Sequence, residues 1–193
     1  MKVTPKASSS LSNFFLISSD MRSQAFSETH INHNDYAHQV ISMKMLVAFY
    51  SRSGTTKRVA QEIVRALNAD IDEVIDKKSR RGILGFLIAG YDATRGKTTE
   101  IEFEKDPSDY DLVIIGTPVW NGRVTPAIRT YLLQNREKIK SAVFFSTCAG
   151  RFGKCLEQME ELWGKKPLLK KVLVRKGLDK GIKDIVEELK ALC

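Results

Sequence analysis

From residue 45 onward, short apolar runs alternate with amphipathic stretches, and nothing else in the chain narrows its fold so far. The runs cover 45–50, 71–75, 112–115, 142–145 and 168–174. Between them, apolar residues recur at helical spacing over 56–67, about 81–91, 124–139 and 154–163. A closing stretch puts Ile182, Ile185, Val186, Leu189 and Leu192 on one side. Strands that alternate with helices in this way predict an α/β protein built on a doubly wound, five-stranded parallel sheet. The unbroken apolar character of 112–115 and 142–145 suits strands covered on both faces, whereas Asp72 and Glu73 give 71–75 the mixed look of an edge strand. The stretch 82–90, with Ile83, Leu84, Phe86, Leu87 and Ile88, is apolar nearly all round. It reads as a helix packed on the sheet, ahead of a dimer face or a cover over a ligand.

A chain of 193 residues has room for one full core, so we read one domain over 44–193 and an N-terminal extension over 1–43. The extension is rich in serine and has no sustained period, which predicts disorder or loose packing. Met43 and Met45 stand just before the first strand, so a wrongly chosen upstream start would also account for it. The extension holds all three histidines, His30, His33 and His38, which read as solvated rather than as metal ligands. The domain itself therefore lacks the commonest general base, and no catalytic residue is assigned. No run approaches the roughly 20 apolar residues of a membrane span, so no membrane insertion is expected. Cys148, Cys155 and Cys193 form neither an even framework nor a Cys-x2-Cys pair. That points to a reducing, cytoplasmic setting and to no metal site. The net charge of +8 falls wholly on the domain, because Lys2, Lys6 and Arg22 offset Asp20, Glu28 and Asp35. Its cations are scattered without aromatic interleaving or a nucleic-acid motif, so no nucleic acid is expected. A solvated surface ranks first, and an acidic redox partner second.

The first strand runs into Ser51, Arg52, Ser53, Gly54, Thr55 and Thr56 and then into the first helix. A helix N-terminus has backbone N–H groups without intrahelical partners and a dipole that favours an anion, and hydroxyls add donors at the same place. The lysine of a nucleoside-triphosphate loop is missing, so a terminal monophosphate is the better match. In such sheets ligands sit beyond the carboxyl ends of the strands where strand order reverses. The loops after strands one, three and four then become neighbours. The second of these holds Thr117, Pro118, Val119, Trp120, Asn121 and Gly122, and the third runs from Thr147 and Cys148 through Ala149 and Gly150 to Phe152.

These motifs resemble the flavodoxin family over 45–193. Ser51-x-Ser53-Gly54-x-Thr56 is similar to the family's Ser/Thr-x-Thr-Gly-x-Thr phosphate loop, and 109–120 is similar to its third strand and flavin loop. The resemblance implies the flavodoxin-like strand order 2-1-3-4-5 and non-covalent FMN. It puts the phosphate on Ser51, Arg52, Ser53, Gly54, Thr55 and Thr56, and the ring against Trp120 at the end of Thr117, Pro118 and Val119. Asn121 and Gly122 would place a peptide group near the flavin N5, a reading level with that of a bare turn. Ser146, Thr147, Cys148, Ala149 and Gly150 would meet the pyrimidine edge. Arg151 and Phe152 depart from the acid and tyrosine expected of the family, which predicts a less negative potential for the fully reduced flavin than in acidic relatives. Electron transfer is the leading function. An NAD(P)H-dependent quinone or flavin reductase and a cofactor-free binding module stay open. The partners would be a redox protein, acidic and ferredoxin-like, or NAD(P)H and a quinone, and an oligomer is left open.

Overall fold

The computed structural model describes residues 43–80 and 82–192. Of the extension expected over 1–43, residues 1–42 with all three histidines lie outside the described residues, as do Arg81 and Cys193. Five parallel strands form the main sheet: β1 (Met45–Phe49), β2 (Asp70–Glu73), β5 (Leu112–Pro118), β6 (Ala142–Cys148) and β7 (Leu169–Val174). Their spatial order is β2-β1-β5-β6-β7, which is 2-1-3-4-5 when only these strands are counted. Chain order reverses between β1 and β5, which pair from Met45 opposite Leu112 to Phe49 opposite Gly116.

Side-chain alternation divides the core into two layers, because successive strand residues point to opposite faces. Val47, Phe49, Leu112, Ile114, Val143 and Phe145 meet α1 (Thr55–Leu67) and α5 (Leu178–Lys190). Leu46, Ala48, Val113, Ile115, Ala142 and Phe144 meet α2 (Gly82–Thr94), α3 (Pro126–Asn135) and α4 (Cys155–Trp163). The apolar stripes seen in sequence are the buried faces: Val59, Ala60 and Ile63 on α1, and Leu178, Ile182, Ile185 and Leu189 on α5. Among the described residues, no helix is long and apolar enough to cross a membrane.

Several boundaries differ from the sequence expectation. β5 and β6 run on through Gly116, Thr117 and Pro118 and through Ser146, Thr147 and Cys148, residues assigned above to loops or loop edges. Each polar extension is held by its neighbour, with Thr117 opposite Ser146 and Pro118 opposite Thr147. The stretch 71–75 splits into β2 and β3 (Ile75–Asp76), and β3 pairs antiparallel with β4 (Ile101–Glu102). A two-residue ladder has no period to read. The third helix starts at Pro126 rather than at 124, because Thr125 is extended and proline suits the first helical turn. On α2, Ala89 and Ala93 enter the core while Leu87, Ile88 and Tyr91 stay exposed.

Gly116 marks the tightest point of the α1 and α5 layer. A β-carbon there would stand 2.1 Å from Cζ of Phe145, itself fully buried. Gly116→Val is expected to cost about 2–3 kcal/mol by overpacking, read as a lower urea midpoint. An unchanged midpoint would mean that the ring can turn aside.

Candidate functional site

The loop 50–54 leaves β1 at the switch point and feeds α1. Gly54 caps the helix at φ 85° with no side-chain capping bond, so the helix N-terminus carries no competing carboxylate or amide. The Ser51 hydroxyl accepts the Lys57 N–H at 3.2 Å. Thr56 turns inward, 1% exposed, and shares a 2.8 Å hydrogen bond with the hydroxyl of Thr147 on β6. That bond joins α1 to the strand end across the site.

The loop after β5 forms a two-residue hairpin. Trp120 and Arg123 exchange backbone hydrogen bonds of 3.0 and 2.9 Å around Asn121 (φ 49°) and Gly122 (φ 73°). Two successive positive φ values define the turn for which Asn-Gly is the preferred pair. The hairpin is anchored on both sides. Asn121 Nδ2 donates to Thr94 Oγ1 at 2.7 Å, and the Gly122 carbonyl accepts the Lys154 N–H at 3.0 Å.

A cleft of about 230 Å³ lies between the loops, lined by Arg52, Ser53, Thr55, Pro118, Val119, Trp120, Thr147, Cys148, Ala149 and Arg175. Wider clefts of about 570 and 520 Å³ flank it and share Ser53 with it. The structure thus brings together nine residues that the sequence singled out, from Arg52 to Ala149. Ser51 borders the first flanking cleft and Gly54 the second. Thr117 is fully buried and bonded to Thr125 Oγ1 and to the Pro118 carbonyl, both at 3.0 Å, so its side chain serves the α3 layer. Ser146 is also fully buried, and its hydroxyl has no partner among the described residues. Ser146→Ala is expected to be neutral or to stabilise by up to about 1 kcal/mol, because an unmatched hydroxyl leaves the core. A clear fall in Tm would reveal a partner for it.

Sequence reasoning missed Arg175 and the residues around Trp120. Arg175 follows β7, donates its N–H to the Cys148 carbonyl at 2.8 Å and lines the central cleft together with Arg52. Its signal is one of two adjacent cations after a strand, Arg175 and Lys176, which look like any solvated pair. Trp120, 8% exposed, meets the ring of Tyr50 edge-on at 5.6 Å and lies 6.0 Å from the Arg80 guanidinium. Arg80 is buried between two carboxylates, Asp76 at 3.0 Å and Asp92 at 2.5 Å, and its backbone carbonyl accepts Arg52 Nε at 3.0 Å. Burial and the Asp76 charge push the Tyr50 phenol up to about 12, against the opposing pull of Arg80 and Arg52. Burial also raises the Cys148 thiol, against a hydrogen bond from the Gly150 backbone, so this sulfur stays protonated at neutral pH and is a poor nucleophile.

The donor set suits one kind of ligand. Arg52, Arg175, Ser53, Thr55 and a helix N-terminus accept an anion, and no aspartate or glutamate lines the central cleft. Trp120, Val119, Pro118 and Ala149 add an apolar wall, so the ligand is an anion attached to a flat, largely apolar body.

No protein-family model matches the sequence, and no curated protein matches it. Solved structures do. The chain is similar to the flavoprotein of Lactobacillus acidophilus NCFM in complex with FMN, at 28% identity over 72% of this chain and 97% of that one, with a TM-score of 0.61. It is similar to the apo-form of that flavoprotein at 24% identity over 72% and 97%, with a TM-score of 0.54. A protein of Bacteroides eggerthii DSM 20697 matches at 22% identity over 75% and 96%, with a TM-score of 0.59. The fold is flavodoxin-like, as the strand order and the resemblance of the two motifs implied.

Proposed function

We propose that the protein binds FMN without a covalent link and transfers electrons through it. The observation that carries this reading is the central cleft, where two arginines, the hydroxyls of Ser53, Thr55 and Thr147 and a helix N-terminus stand beside an indole with no carboxylate on the lining. The FMN complex of the Lactobacillus acidophilus flavoprotein supports the choice of ligand. In this reading Ser53, Thr55, Arg52 and Arg175 hold the phosphate, with the free N–H groups of the first turn of α1. Trp120 and Val119 shield one side of the ring from water, while the backbone of Cys148, Ala149 and Gly150 faces its pyrimidine edge. The bound flavin supplies the redox chemistry, accepting and releasing one or two electrons. The Gly122 carbonyl accepts the Lys154 N–H, which ties the hairpin to the start of α4.

Titration of riboflavin 5'-phosphate into the flavin-free protein, followed by flavin and tryptophan fluorescence, tests the reading. We expect one equivalent to bind, and Trp120→Ala to weaken it about tenfold through lost ring contact. No binding would overturn the proposal. Robust NADPH oxidation with a quinone by the purified, loaded protein would instead assign it to the reductases.

A further inference from the structure

The loops at the carboxyl end of the sheet differ in charge from the rest of the molecule. Residues 50–54, 77–80, 119–125, 149–154 and 175–177 contain nine lysines and arginines and no aspartate or glutamate. At the opposite end, residues 43–44, 68–69, 103–111, 136–141 and 164–168 mix seven lysines and arginines with five aspartates and glutamates. The excess positive charge is therefore concentrated around the mouth of the cleft, an arrangement that scattered positions in the sequence conceal.

Hydrogen bonds join these loops into one rim. Arg52 Nε reaches the Arg80 carbonyl at 3.0 Å, the Lys154 N–H reaches Gly122 at 3.0 Å, and the Arg175 N–H reaches Cys148 at 2.8 Å. Of the carboxylates close to these loops, Asp76 and Asp92 are buried against Arg80 and Asp179 pairs with Arg58, whereas Glu157 in the first turn of α4 is exposed. Arg151, Lys154, Arg175 and Lys176 are exposed and make no ion pair among the described residues. Between Arg151 and Lys154 in the same loop, Phe152 is 51% exposed, a bulky apolar group.

We infer that this rim is the docking surface for an acidic electron-transfer protein, which meets the flavin edge at the mouth of the cleft. The inference rests on the flavin reading above. Arg151, Lys154, Arg175 and Lys176 are exposed on two neighbouring loops, while Lys77, Lys78 and Arg80 are already paired with carboxylates; a spread of unmatched cations beside an exposed aromatic suits the surface of an acidic protein. Each encounter passes one electron between the partner's metal centre and the flavin, so one is oxidised as the other is reduced. No bond forms or breaks at the interface.

The test uses the full-length, FMN-loaded protein and a reduced, acidic [2Fe–2S] ferredoxin as probe, mixed by stopped flow. The second-order rate constant should fall at least tenfold between low salt and about 0.5 M salt, where charges are screened within a few Å. A Lys154→Glu/Lys176→Glu double variant, whose residues do not line the flavin cleft, should lose about tenfold at low salt and flatten the salt dependence, with FMN affinity unchanged. Rates indifferent to both salt and charge reversal would overturn the inference and leave the flavin reading intact. A variant that raises the KM for NADPH while the ferredoxin rate stays put would overturn it in favour of a dinucleotide. If FMN does not bind at all, the flavin reading fails first. Calorimetry of ferredoxin with the flavin-free chain then judges the rim by itself, and the absence of salt-sensitive association counts against it.

Discussion

Replacing Arg80 with methionine is expected to destabilise the protein by about 3–5 kcal/mol, because it leaves two carboxylates buried without their cation. Arg80, Asp76 and Asp92 have side chains only 3%, 2% and 4% exposed. Asp92 keeps Lys78 at 3.0 Å and Lys97 at 3.4 Å, whereas Asp76 keeps only neutral donors, the Lys78 N–H at 2.9 Å and the Thr99 hydroxyl at 2.7 Å. Adding Asp76→Asn to Arg80→Met should therefore recover part of the loss. Urea unfolding followed by circular dichroism measures both, and a loss below about 1 kcal/mol for the single variant would mean that solvent reaches and compensates the carboxylates. The network also sets an acid limit. Burial alone would raise the pKa of Asp92, but hydrogen bonds from Arg80, Lys78 and Lys97 outweigh it and hold the group at about 2. An aspartate in the unfolded chain titrates near 3.9, so the folded value is depressed. Its stabilising contribution is complete above about pH 4 and is lost as pH falls towards 2. In Arg80→Met the folded value rises towards that of the unfolded chain, so this acid-dependent loss should shrink.

Riboflavin, which is FMN without its phosphate, is expected to bind on the order of a thousandfold more weakly than FMN. Hydrogen bonds to a charged group contribute about 1.5–3 kcal/mol each, and two or three of them span roughly two to six powers of ten in affinity, with a thousandfold in the lower half of that range. The donors for them are Ser53, Thr55, Arg52 and Arg175, gathered at the α1 N-terminus. Parallel fluorescence titrations of the two flavins make the comparison, and inorganic phosphate should compete with FMN but not with riboflavin. Affinities within tenfold of each other would show that ring contacts, not the anion site, hold the ligand.

How far the sequence could be read follows from how local each signal is. The strand, hydroxyl loop and helix over 45–67 are legible because strand, turn and amphipathic helix each leave a mark within a few residues. The Asn121-Gly122 turn is legible for the same reason, since few other pairs accept two positive φ values. By contrast, Gly116 to Pro118 and Ser146 to Cys148 are strand residues through hydrogen bonds to one another, and their composition suggests a loop. Thr56, Thr117 and Ser146 look like binding hydroxyls in a motif, yet all three point into the core. Which way a hydroxyl faces depends on the pleat and on the neighbouring helix, and neither is written in the motif itself.

Apolar spacing alone was enough to establish that strands and helices alternate and which strands are covered on both faces. Burial of that apolar surface drives folding, and its periodicity is a property of consecutive residues. Only the tertiary structure decided that Arg175 and Arg52 line one cleft, that Arg80 is buried against Asp76 and Asp92 within 6.0 Å of Trp120, and that exposed cations of separate loops meet at one end of the sheet. Charges interact through space with little regard to chain order, so their pattern emerges once β1, β5, β6 and β7 bring distant loops together.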